Sequence, residues 1–430
     1  MFDIRKSDGD TSWFIKDRFG MFIHWGLYAL PARHEWVKHL EQISDEDYKK
    51  YFDHFDPDLY DPELWASLAE EAGMKYFVIT TKHHEGFCLW DSQLTNYKCT
   101  NTPYKKEILR PMVDAFRQHG LKTGFYHSLI DWNHPDFVID DMHSARNFSN
   151  REKLNKTREQ EKYAQYLKGQ IEELLTNYGK IDILWCDFSY PSKEGFTGKG
   201  KADWDSENLY KLIRKLQPHV ILNDRLDVED IWDIKTPEQF QPSSWVEING
   251  QKVVWEACQT FSGSWGYHRD ESSWKSSTQL LTMLIDTVSK GGNLLLNVGP
   301  TGRGEFDYRA VDRLKSMGKW MRRNSRSIYN CTQVPFDVKV SDGALTTYNS
   351  DSNRLYIHLT NYPVLGYFSI KGISNEKIEY AQFLHDASEV RKGGLPGGMS
   401  GELVSGTETV FHIPVLKPNE EIPVVEIFLK

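Results

Sequence analysis

The sequence predicts an α/β chain built as a TIM-like (β/α) barrel followed by a C-terminal antiparallel β-sandwich. Three observations carry that reading. First, short apolar runs alternate with amphipathic stretches that stop at glycine, the pattern of a parallel sheet covered by helices. Second, no G-x-G-x-x-G follows any run, which removes a nucleotide-binding reading of the runner-up, a doubly wound sheet. Third, after about residue 335 the pattern changes to short strands of period two. The expected domains are a catalytic barrel over 1–334 and a sandwich over 335–430, and 430 residues suit such a pair.

The barrel elements follow in order. "FGMFIHWG" (19–26) is the first strand. "DPELWASLAEEAG" (61–73) is an amphipathic helix that stops at Gly73, a natural C′ residue. "KYFVITT" (75–81) is β-rich. A helix over 106–120 stops at Gly120, and "LKTGFYHSL" (121–129) is the third strand. A long charged helix is expected over 155–179, then the strand "IDILWCDFSY" (181–190). A helix over 206–218 precedes "VILNDR" (220–225), and "VVWEACQT" (253–260) follows. A helix over 278–292, the strand "NLLLNVGP" (293–300) and a helix over 308–324 close the set. That gives seven strands and an uncertain eighth. Beyond them, "ALTTYNS", "RLYIHLT", "GYFSIKG", "TVFHIPV" and "PVVEIFLK" read as sandwich strands, with "KGGLPGGMSG" as a separator.

Composition narrows the function. Lys plus Arg is 52 against 61 for Asp plus Glu, a net charge of −9. That balance gives no electrostatic support to nucleic-acid or anionic-membrane binding. Aromatic residues are 13%, with 14 Trp and 21 Tyr; beyond filling cores, such rings offer flat apolar faces to sugars. Cys88, Cys99, Cys186, Cys258 and Cys331 are scattered with no CxxC spacing, and read as reduced thiols. No signal peptide or membrane helix is visible, so the expected location is cytoplasmic, although a secreted mature form would look the same.

In a parallel barrel the C-terminal strand ends gather at one face, where active sites sit. The first strand ends in His24-Trp25-Gly26, with Glu35 and Trp36 soon after. The second runs into Lys82-His83-His84-Glu85. The third carries Tyr126 and His127, the fourth Trp185-Cys186-Asp187, and the fifth Asn223-Asp224-Arg225, followed by a loop with Glu238. The sixth bears Trp255-Glu256 and leads to Trp265. Buried polar groups destabilise unless paired, so polar ends on nearly every strand are hard to explain as packing. A lone strand-end histidine is more often a structural hydrogen-bonder. Adjacent His83 and His84 would face opposite sides of a regular strand, so they do not make an obvious metal pair. The remaining chemistry, carboxylates among histidines and tryptophans, suits glycoside hydrolysis.

At these residues the sequence resembles the α-L-fucosidases of glycoside hydrolase family 29. "FGMFIHWGLYALPARHEW", "KHHEGFCLWDS", "GLKTGFYHSLIDW", "DILWCDF", "WEACQTFSGSWGYHR" and "KGGNLLLNVGPTGRGEF" carry the resemblance, in family order over roughly 13–306. It implies a barrel with a β-sandwich, and retaining hydrolysis of terminal α-L-fucose with no cofactor and no metal. Carried over residue by residue, it makes Asp187 the nucleophile. His24, Glu35, Trp36, His83 and His84 match positions that bind fucose hydroxyls. Tyr126-His127 stands where the family commonly has a tyrosine pair, and the histidine departs from it. Trp185 and Trp265 match the aromatic lining, and Arg225 matches a sugar-binding or nucleophile-supporting arginine. The acid/base lies on a variable loop in this family; Glu238 is preferred for its place on a loop, and Glu256 is the alternative.

The expected mechanism follows. Asp187 forms a fucosyl ester, while Glu238 enters protonated and serves as acid and then base, with the carboxyls ~5–5.5 Å apart. The implied partners are terminal α-L-fucosyl glycans or glycosides, with no nucleic acid and no membrane, and a homo-oligomer is left open. The alternatives are a glycosidase for a fucose-configured sugar such as α-L-galactose, a non-catalytic fucose-binding relative, and a metal-dependent hydrolase.

Overall fold

The fold is that of a computed structural model, which describes residues 2–393 and 408–430. Seven parallel strands form one curled sheet: β1 (Phe19–Ile23), β2 (Tyr76–Lys82), β3 (Lys122–Ser128), β4 (Ile183–Asp187), β5 (Ile221–Leu222), β6 (Glu256–Thr260) and β7 (Asn293–Val298). Their order is β5-β4-β3-β2-β1-β7-β6. Alternate residues face opposite ways. Phe22, Val78, Tyr126, Ile183, Trp185 and Leu295 fill the interior, whereas Ile23, Ile79, Phe125, Leu184, Cys186 and Leu296 pack under the helices. Both faces are therefore apolar, which is why the strands read as nearly continuous hydrophobic runs.

The sheet edges β5 and β6 are joined by residues 233–239, which occupy the place of the eighth strand. Parallel bridges link Asn223 to Ile234, Lys235 to Trp255 and Glu238 to Cys258. Ile234 adds its side chain to the interior cluster. Pro237 has no N–H to donate, and a regular ladder cannot form through it. The sequence therefore conceals a stave that reads as a loop. The expected helix over 155–179 is divided into Arg151–Asn155 and Gln160–Asn177. Between them, Arg158 donates to the carbonyls of His134 and Phe137, and the Asn155 amide exchanges hydrogen bonds with the Ile139 backbone. These bonds hold the 134–139 loop rather than a continuous helix.

After the helix Tyr308–Asn324, two four-stranded antiparallel sheets pack face to face. Leu355, Ile357, Phe368, Phe411 and Ile427 form their shared core. The strand Ile378–Phe383 is unforeseen; its Glu379, Ala381 and Gln382 have weak β propensity, and a register shift interrupts its pairing. The separator "KGGLPGGMSG" lies mostly outside the described residues. The sandwich is tied to the barrel by the Trp320 indole, which donates to the Ile422 carbonyl at 2.8 Å, and by Thr347, which donates to the Ser327 carbonyl at 2.7 Å.

One carboxylate secures the barrel seam. Asp233 is buried, accepts from Gly9 N at 2.8 Å through Oδ1, and accepts from Leu222 N and Arg214 Nη2 at 2.7 and 2.6 Å through Oδ2. Asp233→Ala should destabilise the chain by ~3 kcal/mol, because it strands the half-buried Arg214 charge and two backbone donors. Urea unfolding measures this, and a loss below ~1 kcal/mol would show that the seam does not depend on Asp233.

Candidate active site

All seven strands point the same way, so their C-terminal ends open on one mouth. Asp187 stands at the end of β4, its side chain 10% exposed. Its Oδ1 accepts from Arg225 Nη1 at 2.8 Å and its Oδ2 from the Tyr126 hydroxyl at 2.7 Å. Two donors, one on each oxygen, are the partners of a carboxylate anion. Burial, and then the adjacent Asp187 charge, push the Tyr126 phenol well above its ordinary range, so Tyr126 stays a donor. The next residue, Phe188, has φ +81°, a strained conformation for a bulky side chain, which turns the chain away from the strand end.

Arg225 connects Asp187 to the second carboxylate. The same Nη1 donates to Glu238 Oε2 at 2.7 Å. Bonds of 2.8 and 2.7 Å to one nitrogen limit these two oxygens to about 5.5 Å apart, below the ~6.5–9.5 Å of an inverting pair. The guanidinium lies 4.5 Å over the Trp185 ring and donates to the Thr236 carbonyl. Burial opposes its charge, but Asp187, with Cys258 and Glu238, outweighs burial and raises its pKa. Glu238 is the more open carboxylate, its side chain 42% exposed.

Three imidazoles line the same pocket, and their protons can be placed. His24 Nδ1 is 2.6 Å from Asn297 Oδ1, an acceptor, because the Asn297 amide nitrogen donates to the Trp265 carbonyl. His84 Nδ1 is 2.6 Å from Ser128 Oγ, whose own proton goes to the Ile130 carbonyl. Both rings therefore carry hydrogen on Nδ1 and present Nε2 as an acceptor. Burial holds both well below the ordinary histidine pKa, so they are neutral. His83 and His84 reach the pocket together because they lie in a turn beyond β2, closed by Gly86 N to the His83 carbonyl. Gly86 has φ +86°, and a Cβ there would lie 2.2 Å from Asp131 Oδ1. Among the described residues, no group of three or more His, Cys, Asp or Glu is arranged to hold a metal ion.

The strand ends and the loops that follow them enclose one small, partly open cavity. Trp36, Phe188, Trp265 and Phe22 supply its apolar wall, beside Asp187 and Glu238. Trp185 lines it too, but is covered by Arg225 on one side and stacked on Tyr126, at 5.9 Å, on another. It acts as a spacer for the charged groups more than as a platform. Glu35 stands behind the wall: its Oε2 accepts from Trp265 N and Gly266 N at 3.1 and 2.9 Å, and from the Ser264 hydroxyl. It thereby fixes the loop that carries Trp265.

Four expected positions differ. Glu35, expected to bind sugar hydroxyls, is instead engaged with the backbone of the Trp265 loop and does not line the pocket. His127 is on the opposite face of β3 from Tyr126; it meets Thr81 Oγ1 at 2.9 Å and the Trp90 ring, outside the pocket. Strand alternation requires this. Glu256, the alternative acid/base, is fully buried inside the barrel, where it accepts from the Tyr76 hydroxyl at 2.6 Å and the Trp185 indole at 3.3 Å. It faces β-strand side chains and not the mouth. Glu238, conversely, is not on a free loop but at the end of the irregular eighth stave. The sequence reading missed Asn297, Ser128 and Phe188. Asn297 was visible as a polar residue at the end of "NLLLNVGP", and Phe188 as the aromatic after Asp187; Ser128 carried no signal.

A sequence-family model described as alpha-L-fucosidase matches residues 4–326. Alpha-L-fucosidase isoenzyme 1 from Paenibacillus thiaminolyticus is similar in structure, at 40% identity over 98% of both chains with a TM-score of 0.90. A family 29 alpha-L-fucosidase of Bacteroides thetaiotaomicron, trapped as a covalent intermediate with 2-fluoro-fucosyl fluoride, is 26% identical over 100% of this chain and 98% of its own, with a TM-score of 0.83. The human tissue alpha-L-fucosidase is 28% identical over 391 residues, 84% of this chain and 78% of the human protein.

Glu256 provides a pH test. Burial raises its pKa from 4.5 to about 7, against the two hydrogen bonds that lower it. The folded state thus holds its proton more tightly than the unfolded state, and that stability is present below 4.5 and lost as pH rises through about 7. Relative to the parent, Glu256→Gln should gain up to ~3 kcal/mol of unfolding free energy between pH 4.5 and 8. Denaturant titrations at several pH values check this, and parallel pH profiles for the two proteins would refute it.

Proposed function

The chain belongs to the α-L-fucosidase family, retaining glycoside hydrolases of α-L-fucosyl glycosides, and within that activity we propose that Asp187 is the nucleophile and Glu238 the acid/base. The observation that carries the assignment is the shared Arg225: one guanidinium nitrogen holds both carboxylates, at 2.8 and 2.7 Å, in one small pocket. A retaining reaction needs two carboxyls at this spacing.

Asp187 attacks the anomeric carbon from the face opposite the leaving oxygen. A C–O ester bond forms as the glycosidic bond breaks, and Glu238 transfers its proton to the departing oxygen. Glu238 then takes a proton from water, whose oxygen attacks the same carbon and frees Asp187. Two displacements return the α configuration. The neutral His24 and His84 accept hydrogen bonds from sugar hydroxyls through Nε2, and His83 lines the same side of the pocket. Trp36, Phe188 and Trp265 cover the apolar faces of the ring. Trp185 supports Arg225, and Glu35 supports Trp265 through its backbone hydrogen bonds. The partner is an α-L-fucosyl glycoside, as the family implies, and the pocket lining of acceptors and aromatic rings fits its terminal ring; a net charge of −9 favours neither nucleic acid nor an anionic membrane.

Variants separate the two carboxylates. Asp187→Ala should lower aryl α-L-fucoside turnover by ~10⁴-fold or more, and azide should restore it with β-L-fucosyl azide as product. Glu238→Ala should respond to azide with the α product, because azide then replaces water on the fucosyl-enzyme. Near-normal turnover in Asp187→Ala would overturn the nucleophile. An azide response in Glu256→Ala, with none in Glu238→Ala, would overturn the acid/base.

A further inference from the structure

Glu85 is a buried carboxylate that the reaction does not use. It is 1% exposed, and neither of its oxygens receives a hydrogen bond. Leaving a charge buried without a partner is strongly destabilising. Its closest positive or polarisable partner is the pocket histidine His83, whose Nδ1 lies 3.6 Å from Glu85 Oε2 and is itself buried without a hydrogen bond. The rest of its surroundings is aromatic, with Tyr28, Tyr48 and Tyr97 close enough to feel its charge. The fold also reserves space for it. A Cβ on Gly26 would stand 2.7 Å from Glu85 Oε1 and 2.8 Å from a Tyr28 ring carbon, so a side chain there would displace one of them.

We propose that Glu85 is a positioning residue: it draws the proton of His83 to Nδ1 and thereby leaves His83 Nε2 as a third acceptor facing the sugar. The logic is that of its neighbours. Asn297 Oδ1 fixes the His24 proton, Ser128 Oγ fixes that of His84, and the one pocket histidine without such a partner has a carboxylate at 3.6 Å instead. A carboxylate oxygen is an acceptor only, so the imidazole edge that faces it carries the hydrogen. A ring shift of a few tenths of an ångström closes the gap to hydrogen-bond length. Glu85 acts through His83 and touches neither the substrate nor Asp187. This proposal rests on the placement of His83 in the fucose site.

A double-mutant cycle tests it, with kcat/KM for an aryl α-L-fucoside and thermal melting on the same samples. Glu85→Leu fills a similar volume and removes the acceptor; it should lower kcat/KM by ~10-fold in the parent and by less than ~2-fold in a His83→Ala background. An equal loss in both backgrounds, or no loss in the parent, would overturn the proposal. If His83→Ala itself leaves kcat/KM unchanged, the sugar-site reading of His83 fails first, and this is a distinguishable result. A readout on the unaltered protein guards against a variant that does not fold: selective ¹⁵N labelling of histidine should place the His83 proton on Nδ1. A proton on Nε2 would refute the role of Glu85 regardless of the kinetics.

Discussion

The site depends on one guanidinium that satisfies two carboxylates. Asp187 and Glu238 stand within about 5.5 Å through Arg225 Nη1. Without a cation between them, two carboxylates this close would repel and one would hold a proton tightly. A single positive charge suits the whole cycle. In the proposed mechanism the anion before glycosyl transfer is Asp187 and the acid keeps its proton; afterwards Asp187 is a neutral ester and Glu238 is the anion. The net charge beside Arg225 is constant, and little reorganisation accompanies the displacement. The three residues come from β4, the end of β5 and the eighth stave, so closure of the barrel and assembly of the catalytic group are one event. Trp185 holds the guanidinium plane from below, and Glu256 holds the Trp185 indole.

The sequence makes the strand-borne part of this arrangement legible. In "LWCD", alternation alone sends Trp185 and Asp187 inward and Cys186 toward the helices, and Cys186 packs there. The same rule sends His127 outward, against the expectation carried by its neighbour Tyr126. What the sequence conceals is backbone that leaves the regular pattern. His83 and His84 reach one pocket because the chain turns at Gly86. Glu238 appears to lie on a loop because Pro237 suppresses the ladder that would mark a strand. Asn297, Ser128 and Glu85 are polar residues whose importance arises only when two strands and the turn after β2 bring each of them against a histidine.

Those partners give the pocket a consistent polarity. With protons fixed on the far side of the rings, His24 and His84 offer lone pairs to the ligand, as does Asp187. A sugar must then turn its hydroxyl hydrogens toward the wall, and its ring orientation follows from that demand. A water molecule can do the same at any one position, but only a rigid polyol meets several at once. Tautomers held by the protein need no adjustment when the ligand arrives, which is the value of preorganisation.

Exposure separates the two carboxylates in keeping with the tasks proposed for them. Asp187 is 10% exposed and is held by a donor on each oxygen. Its reaction partner is the anomeric carbon of a ring enclosed by the pocket, and it has no need of solvent. Glu238 is 42% exposed. Its partners are an oxygen that leaves with the aglycone and a water that enters in its place, and both exchange through the mouth. The nucleophile therefore belongs on a regular strand packed beneath the sugar, while the acid/base belongs on the least regular stave, at the rim.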